Sequence, residues 1–285
     1  MSTLERCWIT YCAVVIAVAL GADGGGADGH RPWAFAALHL GIAALQWLPG
    51  AARRRGWTAG RVRALRAALA VAGLPVVFSA MAALLPYVHP QPWEIAWYRV
   101  DLRVFGREAT EPLRAALPAA LVVALQCVYA AFYFVPIAAA LAVGARSGGA
   151  AFDRAVTVLV GGFLCSYLGY LWFPTLAPKV VLPLADGAAA PGWTGLFAMI
   201  DAAEANPWDC FPSGHTMMSL CSVLVAWRWA RPAVPWLLLV VVPLVASTML
   251  LRYHWPSDVV AGALLCWPCM RAIDWLLDRD GAPPA

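Results

Sequence analysis

Long apolar runs, separated by short breaks rich in arginine, proline or glycine, recur along the chain near residues 8–22, 33–49, 67–88, 119–143, 155–173, 213–231, 234–252 and 258–277. Most approach the ~20 residues that a helix needs to cross ~30 Å of hydrocarbon. The pattern predicts an all-α, polytopic membrane bundle of about eight helices. Pro136, inside the fourth run, removes a backbone donor and predicts a kink that neighbouring helices can tolerate. The first run is short and follows MSTLER. It reads either as a signal peptide ending near Ala19–Ala22 or as an uncleaved anchor, and the anchor is expected.

Two further segments are not spans. Residues 89–112, HPQPWEIAWYRVDLRVFGREATEP, mix aromatics with charges as an interfacial helix does. Residues 174–212 form a loop long enough to suggest a function. In domain terms, residues 1–62 hold the N-terminal helices and an arginine-rich loop. Residues 63–285 hold a membrane core, with the motifs described below falling in 155–277.

Composition agrees with a membrane location. The chain is 62% hydrophobic and 13% charged, about half the charge of a soluble domain. Its net charge of +4 does not point to nucleic acid, because the arginines lie between apolar runs and form no basic face. Instead they orient the bundle. The loop RRRGWTAGRVRALR, residues 53–66, dominates one side and predicts that both termini are cytoplasmic, with 89–112 and 174–212 outside. The arginine- and alanine-rich composition fits a GC-rich bacterial coding bias, so the membrane expected is the bacterial plasma membrane. The 15 tryptophans fit interfacial anchoring. Among the cysteines, Cys12, Cys127, Cys165 and Cys221 read as small packing residues. Cys266 and Cys269, in CWPC, have a redox spacing but lie in a span, so packing is expected there too.

Three polar pieces meet on the outer side by topology. They are FPTLAPK (173–179), FPSGHT (211–216) and STMLLRYHWPSDVVAG (247–262). They bring Lys179, His215, Arg252, His254 and Asp258 to similar depth. Each suits phosphate chemistry. The PSGH turn opens a helix, whose first N–H groups and positive dipole end attract an anion. Gly214 lets backbone approach an anion and Ser213 offers a hydroxyl. Lys179 and Arg252 supply positive charge. His254 and Asp258 are four apart, so on a helical turn they face the same side. A carboxylate on one imidazole nitrogen leaves the other free to attack. His215, on another helix, can protonate a leaving oxygen.

PSGH and RYHWPSDVVAG resemble the second and third motifs of the type 2 phosphatidic acid phosphatase superfamily. FPTLAPK resembles the proline-rich first motif of one branch, that of the aureobasidin-resistance-type inositol phosphorylceramide synthases and their bacterial relatives. The resemblance covers roughly residues 155–277. It implies a membrane-embedded six-helix core, catalysis without metal or other cofactor, and a phosphohistidine intermediate. Carried over by position, His254 is the nucleophile, Asp258 its orienting partner and His215 the general acid. Ser213, Gly214 and Lys179 bind the phosphate, and Arg252 can replace an arginine that the phosphatase form carries where Thr248 stands here. That form also has two basic residues in its first motif, against Lys179 alone here.

The expected partners are a lipid phosphate substrate, membrane lipids and, for a transferase, an alcohol acceptor such as a ceramide or polyprenol. Lipid phosphatase and phosphotransferase both remain open at this point, an inositol phosphorylceramide synthase-like transfer included. A vanadate-dependent haloperoxidase and a non-catalytic lipid transporter are the rival classes. Glu94, Tyr98, Arg99, Asp101 and Arg103 read as the wet face of the interfacial helix, with a headgroup pocket as the alternative. Asp201, Glu204 and Asp209 are weaker candidates for contact with an acceptor. His30, His39 and His89 are expected to have no catalytic role.

Overall fold

The computed structural model describes residues 1–22, 32–89, 93–105, 116–181 and 206–281, together with residues 199 and 202. In chain order its helices are α1 (Thr3–Gly21), α2 (Pro32–Leu45), α3 (Leu48–Arg54), α4 (Ala59–Val88) and α5 (Glu94–Phe105). There follow α6 (Ala119–Ala130), a 3-10 turn (Ala131–Phe134), α7 (Val135–Trp172), α8 (Pro178–Val181), α9 (Gly214–Trp229), α10 (Val234–Leu250) and α11 (Pro256–Arg279). The fold is all-α, and six of the described stretches are long and apolar enough to cross a membrane.

Those six relate simply to the eight expected runs. One stretch, Ala119–Trp172, is 54 residues long, which at 1.5 Å per residue would be roughly 80 Å if straight. It is not straight. Gly148 has φ 80° and ψ −175°, and there the chain doubles back. Phe132 and Phe163 have ring centroids only 6.0 Å apart, whereas a straight helix would separate them by roughly 45 Å. A Cβ on Gly144 would likewise touch the Phe152 ring, at 2.9 Å. The stretch therefore holds two antiparallel arms, matching the expected runs 119–143 and 155–173. The expected run 213–231 appears as α9, whose 16 residues rise roughly 24 Å.

Pro136 falls in the first turn of α7, where a missing backbone donor is tolerated, directly after the 3-10 turn at Ala131–Phe134 that interrupts the expected run. Side-chain caps mark two other starts. Thr58 Oγ1 accepts from the Arg61 N–H at the head of α4, and Ser213 Oγ from the Thr216 N–H at the head of α9.

Two apolar clusters hold the helices together. One joins α6, α7, α9, α10 and α11 through residues such as Val143, Val158, Met218, Val225 and Leu244. The other packs α1, α2 and α4 against the second arm of α7, with Trp8, Tyr11, Met81 and Leu171 fully buried. Gly73 leaves the space that the Trp8 ring fills, at 2.9 Å from where a Cβ would stand.

The helix ends far from α11's first residue carry the ion pairs. Arg63 meets Asp153 at 2.8 Å, Arg66 meets Glu5 at 2.9 Å, Arg228 meets Asp274 at 2.8 Å and Arg154 meets Asp278 at 2.8 Å. The starts of α9 and α11 are at the other end. CWPC forms no pair with itself: Cys266 Sγ lies 3.2 Å from Cys221 Sγ, and Cys269 contacts Cys165.

Gly148 gives the first test. Its φ and ψ fall in a region that is essentially glycine-only, yet nothing lies within 4 Å of where a Cβ would stand. Gly148→Ala should therefore lower the Tm of detergent-purified protein through backbone strain alone, by about 1–3 kcal/mol in stability. An unchanged Tm would mean that the hairpin does not depend on this conformation.

Candidate active site

The three polar pieces are tied to one another mainly through backbone. Thr175 of the first forms an isolated bridge with Asp209, and the Cys210 N–H donates to the Thr175 carbonyl at 3.3 Å. The Lys179 N–H donates to the Arg252 carbonyl at 3.0 Å. The Trp255 indole N–H donates to the Leu176 carbonyl at 2.9 Å. Ala177, Trp255 and Cys210, the residue just before FPSGHT, close over these bonds as a small apolar cluster, with Tyr98 and Val181 against it.

The starts of α9 and α11 abut. The Ser213 N–H donates to the Asp258 carbonyl at 3.0 Å. One turn along α11, a Cβ on Gly262 would run into the Ser213 carbonyl oxygen and lie 3.3 Å from the Met217 nitrogen. Glycine at 262 thus allows one helix to start against the backbone of the other. Gly214 plays a similar part on its own side, since the Tyr170 hydroxyl fills the space its side chain would need.

This abutment sets the two imidazoles together. His215 Nδ1 is 3.1 Å from His254 Nε2. On its other side, His254 Nδ1 faces Asp258 Oδ2 at 3.5 Å, and the same oxygen accepts the Trp255 N–H at 2.8 Å. All three side chains are buried. Rings hold His215 in place: Phe132 at 4.2 Å and Tyr129 at 4.7 Å between centroids. Tyr129 in turn stacks on Tyr253 at 4.1 Å, and the Lys179 ammonium sits 3.9 Å over the Tyr253 ring.

A loop and a helix close the site. In the first, the Thr248 carbonyl accepts both the Tyr253 N–H at 2.8 Å and the His254 N–H at 3.0 Å, while its hydroxyl donates to Val245 O. Thr248 thus holds the loop that presents His254. Arg252, in that loop, is buried and has φ 65°, a left-handed conformation rare for a residue with a Cβ. Such strain tends to be kept where a side chain must be aimed. The second closure is α5. Trp97 stacks on Phe211 at 4.0 Å, Tyr98 packs on Trp255, and the Asp101 carboxylate accepts the Ser257 N–H at 2.9 Å in the first turn of α11.

Thus His215, His254, Asp258 and Ser213 come together, and Lys179 and Arg252 adjoin them. The wet-face reading of α5 holds for Arg99 and Arg103, which are exposed, and is corrected for Tyr98 and Asp101, which pack on the site. An amphipathic helix has two faces, and the acid lies on the inner one, as a cap. The side chain of Glu94, and Asp201, Glu204 and His30, lie outside the described residues. His39 and His89 bind the backbone carbonyls of Phe35 and Leu171. Tyr129, Phe132 and Tyr170 escaped sequence reading because an aromatic in an apolar run looks like core. For metal chemistry, Cys210, His254 and Asp258 offer ligand atoms all within 4.8 Å of one another.

Comparison with known proteins comes to the same segments. A family model described as the PAP2 superfamily matches residues 105–270. Phosphatidylglycerophosphatase B of Escherichia coli (strain K12) is 36% identical over 78 residues, 26% of this chain and 31% of the relative. The protein of the same name from Shigella flexneri matches to the same extent. The match spans about a third of the length of these curated relatives. No solved structure matches the chain.

Two predictions follow from the geometry. Gly214→Ala should abolish the docking of α9 by striking the Tyr170 hydroxyl; adding Tyr170→Phe removes that oxygen and leaves the ring carbon at an ordinary 3.5 Å. The double variant should recover Tm and turnover relative to the single one, and an equally damaged double variant would refute the steric account. For Asp101, burial is the larger influence and pushes its carboxyl up, against the lowering effect of the Ser257 hydrogen bonds. The stability it lends is therefore full below the ordinary carboxylate range and is lost as pH rises through the raised value. Asp101→Asn keeps an acceptor without the charge and should flatten the Tm–pH curve in that window. Asp101→Ala should lose about 1 kcal/mol below that window, a deficit that shrinks as pH rises through it. Identical pH curves for Asp101→Asn and wild type would refute the assignment.

Proposed function

The chain belongs to the PAP2 superfamily, and on that premise we propose that it is an integral membrane lipid phosphatase working through a phosphohistidine at His254. The observation that carries this reading is His254 itself, which has a carboxylate facing Nδ1 at 3.5 Å and a second imidazole at Nε2 at 3.1 Å. The Asp258 carboxylate facing Nδ1 favours the proton on that nitrogen electrostatically, so the Nε2 lone pair is free to attack phosphorus. Substrate phosphate then replaces His215 as the neighbour of Nε2.

As the Nε2–P bond forms, the bond from phosphorus to the lipid oxygen breaks. His215 gives that oxygen its proton, and the lipid alcohol leaves. In the second step His215, now neutral, takes a proton from water. The oxygen attacks phosphorus, the N–P bond breaks, and inorganic phosphate departs with both histidines restored. Charge develops on the phosphoryl oxygens throughout, so Lys179, Arg252, the Ser213 hydroxyl and the N-terminal end of α9 stabilise it. The aromatic packing of Tyr129 and Phe132 keeps the acid at a fixed distance from the nucleophile.

The phosphatase name of the partial relatives supports water as the acceptor and a lipid phosphate as substrate. The outward orientation rests on charge. The arginine-rich loop and the ion pairs lie at the end of the bundle opposite His254, which fits a cytoplasmic position for that end.

Product analysis on detergent-purified wild type beside His254→Ala is the test, with a lipid monophosphate and with a phosphoinositide, each with and without a ceramide. Wild type should release inorganic phosphate from the monophosphate, and His254→Ala should release none. A new phosphoceramide product in place of phosphate would overturn hydrolysis in favour of transfer. Equal activity in His254→Ala would overturn the phosphohistidine.

A further inference from the structure

Cys210 precedes the FPSGHT turn by one residue, and the phosphatase chemistry has no use for a thiol. Yet its sulfur is directed into the site. It is fully buried and donates to the Tyr253 carbonyl at 3.2 Å, in the loop that presents His254. Cys210 Sγ, a His254 nitrogen and an Asp258 carboxylate oxygen lie within 4.8 Å of one another. That is a thiolate, an imidazole and a carboxylate, a donor set that suits zinc and its soft neighbours and does not suit magnesium.

Two further observations point to a cation. The separation of 3.5 Å between His254 Nδ1 and Asp258 Oδ2 is long for a charge-assisted hydrogen bond of ~2.8 Å. It is close to the ~3.3 Å between two ligands each ~2.0 Å from one tetrahedral ion. The other carboxylate oxygen, Asp258 Oδ1, is fully buried and has no hydrogen-bond partner among the described residues. Asp101 and Asp209 also act on this carboxylate through space, adding negative charge around it.

We infer that Cys210, His254 and Asp258 form an inhibitory site for a thiophilic divalent cation such as zinc. The inhibition rests on the reading of His254 as nucleophile; the binding does not. Coordination replaces the Cys210 thiol proton, which is released to solvent. It also takes the Nδ1 lone pair of His254, so the ring proton moves from Nδ1 to Nε2. An imidazole with its proton on Nε2 has no lone pair there to attack phosphorus. The metal thus locks the nucleophile in its inactive tautomer, with no change of oxidation state. Asp258, drawn to the ion, no longer opposes that tautomer.

Cys210→Ser separates this site from the reaction, because no step above uses the thiol. Purified wild type and Cys210→Ser are titrated with zinc, and with magnesium as the hard-cation control, while phosphate release is followed. Cobalt binding is recorded in parallel by its thiolate charge-transfer absorption. Basal turnover should persist in Cys210→Ser, and the zinc concentration for half-inhibition should rise by at least about 10-fold. Magnesium should inhibit neither protein. The cobalt–thiolate band of wild type should be lost in Cys210→Ser. An unchanged band in Cys210→Ser would overturn the site. A lost band with undiminished zinc inhibition would overturn the tautomer lock. Should wild type prove inactive on every lipid phosphate, the proposed function fails while the cobalt band still decides the site.

Discussion

The site depends on one close approach, that of the α9 start to the α11 start. Ser213 N–H to Asp258 C=O, at 3.0 Å, joins them, and Gly262 removes the side chain that would keep them apart. Everything chemical follows from that contact. His215 is the second residue of α9, and Asp258 the third of α11 with His254 just before it. A shift of an ångström between these helices would break the imidazole contact, and the backbone atoms facing Gly262 have no rotamer by which to yield.

A membrane protein must satisfy each polar group internally where water is scarce. Here the backbone of the three polar pieces does so in part, by bonding one piece to the next. Aromatic rings then cover the assembly: Trp255 over the first loop, Trp97 on Phe211, Tyr129 and Phe132 on His215. The fixed charges are divided between the two ends of the bundle. One end has paired arginines and acids, and the other has Lys179, Arg252 and the histidine–aspartate set. The division gives the bundle its polarity, and it is why orientation and site placement are the same question.

Much of this was legible beforehand, for physical reasons. Apolar run length reports membrane spans because hydrocarbon thickness sets a length scale. Pro136 marked a break because proline lacks a donor wherever it stands. The spacing of His254 and Asp258 placed them on one side because a helical turn has a fixed period. The function of α5 was half legible: its arginines are on the wet side, but which neighbour Asp101 would cap depends on where α11 begins.

By itself the sequence determined the helical class, the approximate spans, the three polar pieces and the likeness to the PAP2 superfamily. These depend on local chemistry and on periods of a few residues. Only the tertiary structure decided that Gly148 reverses the chain and that Gly262 admits the Ser213 carbonyl. It alone set the partners of Tyr129, Phe132, Tyr170 and Cys210. Each of those is a contact between residues far apart in the chain, and an apolar or aromatic side chain in a helical run carries no mark of what it will touch.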